Sequence, residues 1–135
     1  MHKILLFVIL LIASNPVLAL DCDKASSNTV DVNDCRQVDL NKLDAELNQI
    51  YKHVLVKFDK LSKEPPSLAV ADKSKLKQEL IEAQRLWVKF REKDCGATYT
   101  LWSDGTIRGL MYLDCKISKT EQRIKELKAY DEFGN

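Results

Sequence analysis

Few residues of this chain have the types and spacing for chemistry: four cysteines, a histidine at position 53, and two aspartates that each precede a cysteine. Zinc held by thiolates needs a close Cys pair or a nearby histidine. Cys22, Cys35, Cys95 and Cys115 form no Cys-x-x-Cys, and no histidine lies near any of them, so the spacing predicts disulfides and no metal site. Four cysteines admit three pairings. Cys22 with Cys35 and Cys95 with Cys115 close the shorter local loops, each stabilising by roughly 3 kcal/mol in the chain-entropy picture. The second bond would bring Asp94 and Asp114 together, where paired carboxylates raise a pKa or bind a cation. The alternative is two solvated acids at helix ends. His53 falls some 220 to 230 degrees around a helical wheel from Leu40, which places it towards solvent. With no nucleophile beside a base and no carboxylates on opposed cleft walls, the sequence predicts no catalytic residue, no enzyme and no cofactor.

Two further stretches set polar side chains beside an apolar helical stripe: Asp44 to Tyr51 and Ala83 to Arg91. With Leu40 at zero on the wheel, Leu43, Leu47 and Val54 lie within about 60 degrees, and Asp44, Tyr51 and Asn48 occupy the adjoining edge. Gln84 and Arg91 flank Trp87 in the same manner, whereas Arg85 points away. An antiparallel pair of helices would set Asp44 or Asn48 against Arg91 or Gln84, in planar charge-assisted geometry. Such a row is either a seam that fixes helix register or a surface for recognition. Trp87 reads as a core anchor whose indole N–H needs a partner.

The elements that must position these groups are helical. Leu40, Leu43, Leu47, Tyr51, Val54, Phe58 and Leu61 recur at three- and four-residue steps, with Asp39 as the expected N-cap. Pro65-Pro66 closes that pattern. A second helix is expected from Asp72 or Ser74 to Cys95, with Leu76, Leu80, Ala83, Trp87 and Phe90 inward and Gly96 as its stop. A third is expected from Ile107 to Lys128, carrying Leu110, Leu113, Ile117, Thr120, Ile124 and Leu127, with Gly109 weakening its first turn modestly. The tail from Asp131 should fray. Asp21 to Gln37 reads as an arm with one helical turn near Cys35, ordered by its disulfide. The predicted fold is all-α, an antiparallel three-helix bundle with a disulfide-tethered N-terminal arm.

Lys3, the nine apolar residues Ile4 to Ile12, the breakers Ser14-Asn15-Pro16 and the Val17-Leu18-Ala19 site read as an export signal. The run is about half the length a bilayer-spanning helix needs, so no stable membrane insertion is expected after cleavage. Leu20 and Asp21 ahead of Cys22 are the wrong context for lipid attachment. Residues 1–19 are thus assigned as signal peptide and 20–135 as one domain, periplasmic or secreted, where disulfides form. Lys3 is one of 21 basic side chains, and its removal balances the rest against 20 acidic ones. Neutrality argues against nucleic acid, which demands a basic stripe. Asp21, Asp23, Asp31, Asp34 and Asp39 form an acidic N-terminal patch.

Read in order, Cys22 and Cys35, then Asp44, Glu46, Leu47, Asn48 and Tyr51, then Ala83, Gln84, Arg85, Trp87, Phe90, Arg91 and Cys95, and finally Cys115, Thr120, Arg123 and Leu127 resemble the LprI-type lysozyme-inhibitor family of small exported helical proteins. The resemblance spans nearly the whole mature chain. It implies a protein that binds lysozyme and blocks its cleft without turnover, with lysozyme or another envelope protein as the partner. The segment suited to such contact is the loop between Cys95 and Cys115, with Tyr99, Trp102, Ser103 and Arg108 available. A tethered loop loses less entropy on binding. The rival expectations are that Tyr99 and Trp102 only cap the bundle, and that the chain is an envelope accessory or protein-interaction module without lysozyme activity.

Overall fold

The computed structural model describes residues 22, 28–65 and 72–132. The expected export signal lies outside them. Three α-helices follow one another: α1 (Thr29–Leu61), α2 (Leu76–Leu101) and α3 (Arg108–Glu132). No strand occurs among the described residues.

Helix α1 begins ten residues earlier than the expected cap at Asp39. Asn28 is the N-cap, its Oδ1 accepting the Val30 N–H at 2.9 Å. No glycine or proline interrupts Thr29–Leu61, so a helix once nucleated propagates to form one rod about 50 Å long. Asp39 is interior and makes only exposed ion pairs with Arg36 at 3.9 Å and Lys42 at 3.8 Å. The arm is tethered where expected, with Cys22 bonded to Cys35 at a Cα separation of 5.5 Å. At the other end Ser62 caps α1, its hydroxyl donating to the Phe58 carbonyl at 2.7 Å. The same hydroxyl accepts the Lys77 N–H, which links the two helix ends.

Asp72 forms a turn with the Ser74 N–H at 2.9 Å, and α2 starts at Leu76. It runs through Gly96, which was expected to stop it. A glycine inside a helix costs about 1 kcal/mol, and the fully buried Cys95 beside it is bonded to Cys115 of α3, pinning that turn in place. The loop to α3 is correspondingly short. Helix α3 extends through Asp131 and Glu132, where fraying was expected. Asp131 is held by His53, whose Nε2 is 3.0 Å from its carboxylate, and by Lys57, which donates to its carbonyl. Gly109 serves a close approach, since a Cβ there would lie 3.0 Å from Asn33 Nδ2 of α1.

The ties Arg36–Asp114 and Glu46–Lys128 run in the same sense along α1 and α3, whereas Asp44–Arg91 and Asp59–Lys77 run α2 in reverse. Helix α2 is therefore antiparallel to both others, and α1 packs most extensively on α3. Leu47, Val54, Leu80, Ile124 and Leu127 form the central cluster, with Tyr51, Phe58 and Trp87 packed on it. Phe90, expected inward, is 54% exposed, and Ala83 is exposed too. The inward stripe of α2 is instead Leu80, Gln84, Arg91 and Cys95, so its polar residues occupy the centre of the buried face.

Nothing lies within 4 Å of a Cβ placed on Gly96. Gly96→Ala is expected to stabilise the protein by about 0.5–1 kcal/mol through helix propensity and unfolded-chain entropy. Urea denaturation measures it, and a lower midpoint than wild type would contradict the open environment described.

Candidate functional site

Arg91 is the hub of the polar seam. Its side chain is 8% exposed, and Nη1 alone serves two other helices, 2.5 Å from Asp44 Oδ1 of α1 and 2.7 Å from Thr120 Oγ1 of α3. The Thr120 hydroxyl in turn donates a hydrogen bond to the Lys116 carbonyl at 2.7 Å. Nη2 reaches Glu92 Oε1 at 3.5 Å, while Nε bonds to nothing among the described residues. The guanidinium carbon lies 5.0 Å from the Trp87 ring centroid, so the indole forms one wall of the site. The geometry is a three-helix junction, where the wheel predicts a pair between two helices only.

A second tie lies two turns back along α2. Arg123, buried on α3, donates from Nε to Gln84 Oε1 at 3.0 Å and from Nη1 to Glu126 at 2.8 Å. Gln84 therefore meets α3 and not α1. Asn48 is exposed, and Tyr51 is half-buried against the apolar cluster. Of the expected seam, then, Asp44 and Arg91 come together over Trp87, Gln84 pairs elsewhere, and Asn48 takes no part in the junction. Arg123 is the partner that sequence reasoning missed. Its three-residue spacing from Thr120 and four-residue spacing to Leu127 place it on the buried face of α3.

Glu92 continues the network outward, accepting from Tyr112 Oη at 3.0 Å and from Lys116 Nζ at 2.9 Å. Partial burial pushes its pKa up, but hydrogen bonds from Lys116 and Tyr112, with the charges of Lys116 and Arg91, outweigh that and hold the carboxyl below its ordinary value. Asp59 is held down to about 2 by hydrogen bonds from Lys63 and Lys77. Neither arrangement places a base beside a nucleophile. Beside the disulfide, Asp94 is bound to Lys119 at 2.7 Å and Asp114 to Arg36 at 3.1 Å, so each carboxylate has a cation as its partner. His53 is 69% exposed. No group able to hold a metal ion occurs among the described residues.

The segment between Cys95 and Cys115 has a different character. Tyr99 belongs to the last turn of α2 and Trp102 caps it, each 40% exposed, and Leu101 beside them is 80% exposed. Arg108 lies over the Tyr99 ring at 5.2 Å and reaches the Ser103 carbonyl at 3.5 Å. Tyr99 meets Tyr112 edge-on at 6.1 Å. Ser103 to Thr106 and Arg108 face Thr29, Val30 and Asn33 of α1 across a shallow concavity of about 570 Å³. The Cys95–Cys115 bond, with a Cα separation of 5.6 Å, holds the base of this segment.

The described residues thus form a three-helix bundle stapled by two disulfides, with a buried arginine junction and aromatic side chains at one end. The chain belongs to the lysozyme inhibitor LprI family, whose family model matches residues 22–127. An uncharacterised protein of Rhizobium meliloti is 32% identical over 108 residues, covering 80% of this chain and 76% of the relative. No solved structure matches the chain. No described helix is long and apolar enough to cross a membrane.

Two outcomes test the network. Asp44→Ala leaves the buried Arg91 without its carboxylate and is expected to cost about 2–3 kcal/mol, the lower part of the range for a broken buried pair because Asp44 is partly solvated. Arg91→Met added to it should cost less than the sum of the single changes, as a double-mutant cycle in denaturant reads out. Additive costs would show that the two residues do not act together. Separately, Glu92 has a lower pKa folded than unfolded, so its contribution is complete above the unfolded value and is lost as pH falls through the folded one. Glu92→Gln is expected to flatten the decline in stability below pH 4.5, the ordinary glutamate value. An unchanged acid limb would remove Glu92 from the network's energetics.

Proposed function

We propose that this protein is a periplasmic or secreted inhibitor that binds lysozyme and blocks its cleft sterically, without turnover. Family membership carries the proposal. The end loop supports it with a physical means. A lysozyme cleft presents two catalytic carboxylates and sugar-binding walls, and this loop offers Arg108 and Ser103 as polar contacts beside Tyr99 and Trp102. The disulfide base and the Arg108–Tyr99 stack limit the freedom lost on binding. Such occlusion requires no catalytic residue of its own.

Lysis of bacterial cells by several lysozyme types, with protein purified after export, tests this. Wild type is expected to inhibit at least one type at micromolar excess, and Trp102→Ala with Arg108→Ala to raise the concentration for half-inhibition at least tenfold. Inhibition by both proteins alike would move the contact away from the loop.

A second reading, an envelope protein-interaction module, is favoured by one observation. Leu86, Phe90 and Leu101 lie along one outward stripe of α2 and are 66%, 54% and 80% exposed. Failure of wild type to inhibit any lysozyme would favour that reading.

A further inference from the structure

At the end of the bundle away from both disulfides, a cavity of about 740 Å³ opens between the C-terminal turns of α1 and α3 and the N-terminal half of α2. Its walls are apolar, with Phe58, Leu61, Leu76 and Tyr130 prominent, and the Phe58 and Tyr130 rings stand 5.7 Å apart in tilted contact. This size and lining are typical of sites that enclose most of a small amphipathic ligand, and the space between bundle helices is a common place for them. The charged residues around it are unequal in sign: Lys57, Lys73 and Arg123 against Glu79.

We propose that this cavity binds a single-chain anionic amphiphile, a long-chain carboxylate, with the alkyl chain between Phe58, Leu76 and Tyr130 and the headgroup at Lys57 and Lys73. Arg123 is committed to Gln84 and Glu126, which leaves the two lysines for the headgroup. Lys57 is half-buried and donates to a neutral main-chain carbonyl, that of Asp131. Lys73 lies 3.5 Å from Glu64, with the two side chains 36% and 52% exposed. A solvated pair of that kind contributes little, so a ligand carboxylate exchanges into it readily. A carboxylate is favoured over a neutral alcohol because it meets both ammonium groups, and each CH₂ buried tightens binding by about fourfold. The cavity is remote from Trp102 and Arg108, so this proposal and lysozyme inhibition stand or fall separately.

The test is a fluorescence titration of the exported protein with 11-dansylaminoundecanoate, followed by displacement with dodecanoate, octanoate and dodecanol below their micellar concentrations. One saturable site is expected, with dodecanoate displacing the probe at least tenfold better than octanoate and fivefold better than dodecanol. Lys57→Gln with Lys73→Gln should remove the preference for dodecanoate over dodecanol while leaving dodecanol affinity unchanged. Ala83→Trp, at the cavity wall, should abolish binding with an unaltered circular-dichroism spectrum. Absence of saturable binding, equal affinity for alcohol and carboxylate, or full binding by a folded Ala83→Trp variant would each overturn the proposal. Should Ala83→Trp fail to fold, the double lysine variant decides. Residues 66–71 lie outside the described residues. Binding seen only after Leu68→Ser and Val70→Ser would make the chain itself the occupant and would also overturn it.

Discussion

The fold depends on one guanidinium. Arg91 stands at the centre of the buried face of α2 and reaches α1 through Asp44 and α3 through Thr120 with a single nitrogen. Replacing a buried ion pair by well-packed apolar groups is often neutral or stabilising, so the junction is not explained by net stability alone. Its value here is register. Leu80 and Cys95 are the apolar residues of α2 in the buried core, and a helix held by so little apolar surface has weak preference for one axial position. Directed hydrogen bonds supply that preference, because a shift of one turn would take the guanidinium away from both the Asp44 carboxylate and the Thr120 hydroxyl.

The remaining ties of α2 obey the same logic. Gln84 with Arg123 sits two turns before Arg91 and Cys95 with Cys115 one turn after it, on the same stripe. Three successive inward positions therefore carry a hydrogen bond, an ion-pair junction and a covalent bond. Trp87 occupies the edge of that stripe, covering the guanidinium from solvent while its ring packs on the apolar cluster. The aromatic residue thereby serves both layers, which is why it stands between Gln84 and Arg91 in the sequence.

Much of this was legible in residue spacing, and the failures have common causes. Three helices and their order follow from apolar period, because three- and four-residue recurrence over such lengths has no strand equivalent. The Asp44–Arg91 pair is one of the pairings between Asp44 or Asn48 and Arg91 or Gln84 that the wheel leaves open. Helix ends did not follow, because Asp39 and Gly96 have the residue types of a cap and a stop but their surroundings outweigh local preference. Asp39 stands inside a run free of glycine and proline that is capped at Asn28, and Cys95 is bonded to α3 immediately before Gly96. Arg123 was hidden for another reason. Its spacing to Glu126 suggests an ordinary surface pair, a contact it does make, and the hydrogen bond from Nε to Gln84 leaves no separate mark in the local pattern. Phe90 was misplaced because the inward face was centred on Trp87, when the polar residues beside it mark the true centre.

The bundle is also unequal along its length. At one end two disulfides, the Asn28 cap and the close approach at Gly109 fix the N-termini of α1 and α3 and the C-terminus of α2. At the other, the ties include long lysine side chains, Lys77 to Asp59, Lys57 to the Asp131 carbonyl and Lys73 to Glu64, together with the exposed His53–Asp131 pair and the Ser62 hydroxyl on the Lys77 N–H. Solvated ties of this kind are weak and screened by salt, whereas covalent closure is neither. Local opening thus begins at the lysine-tied end, where the apolar cavity lies, and the disulfide-tied end keeps its geometry. Rigid presentation of an aromatic loop and adaptable enclosure of an apolar chain make opposite demands on a small core. Under the two roles proposed above, concentrating both covalent ties at one end assigns each demand to a different end of a single bundle.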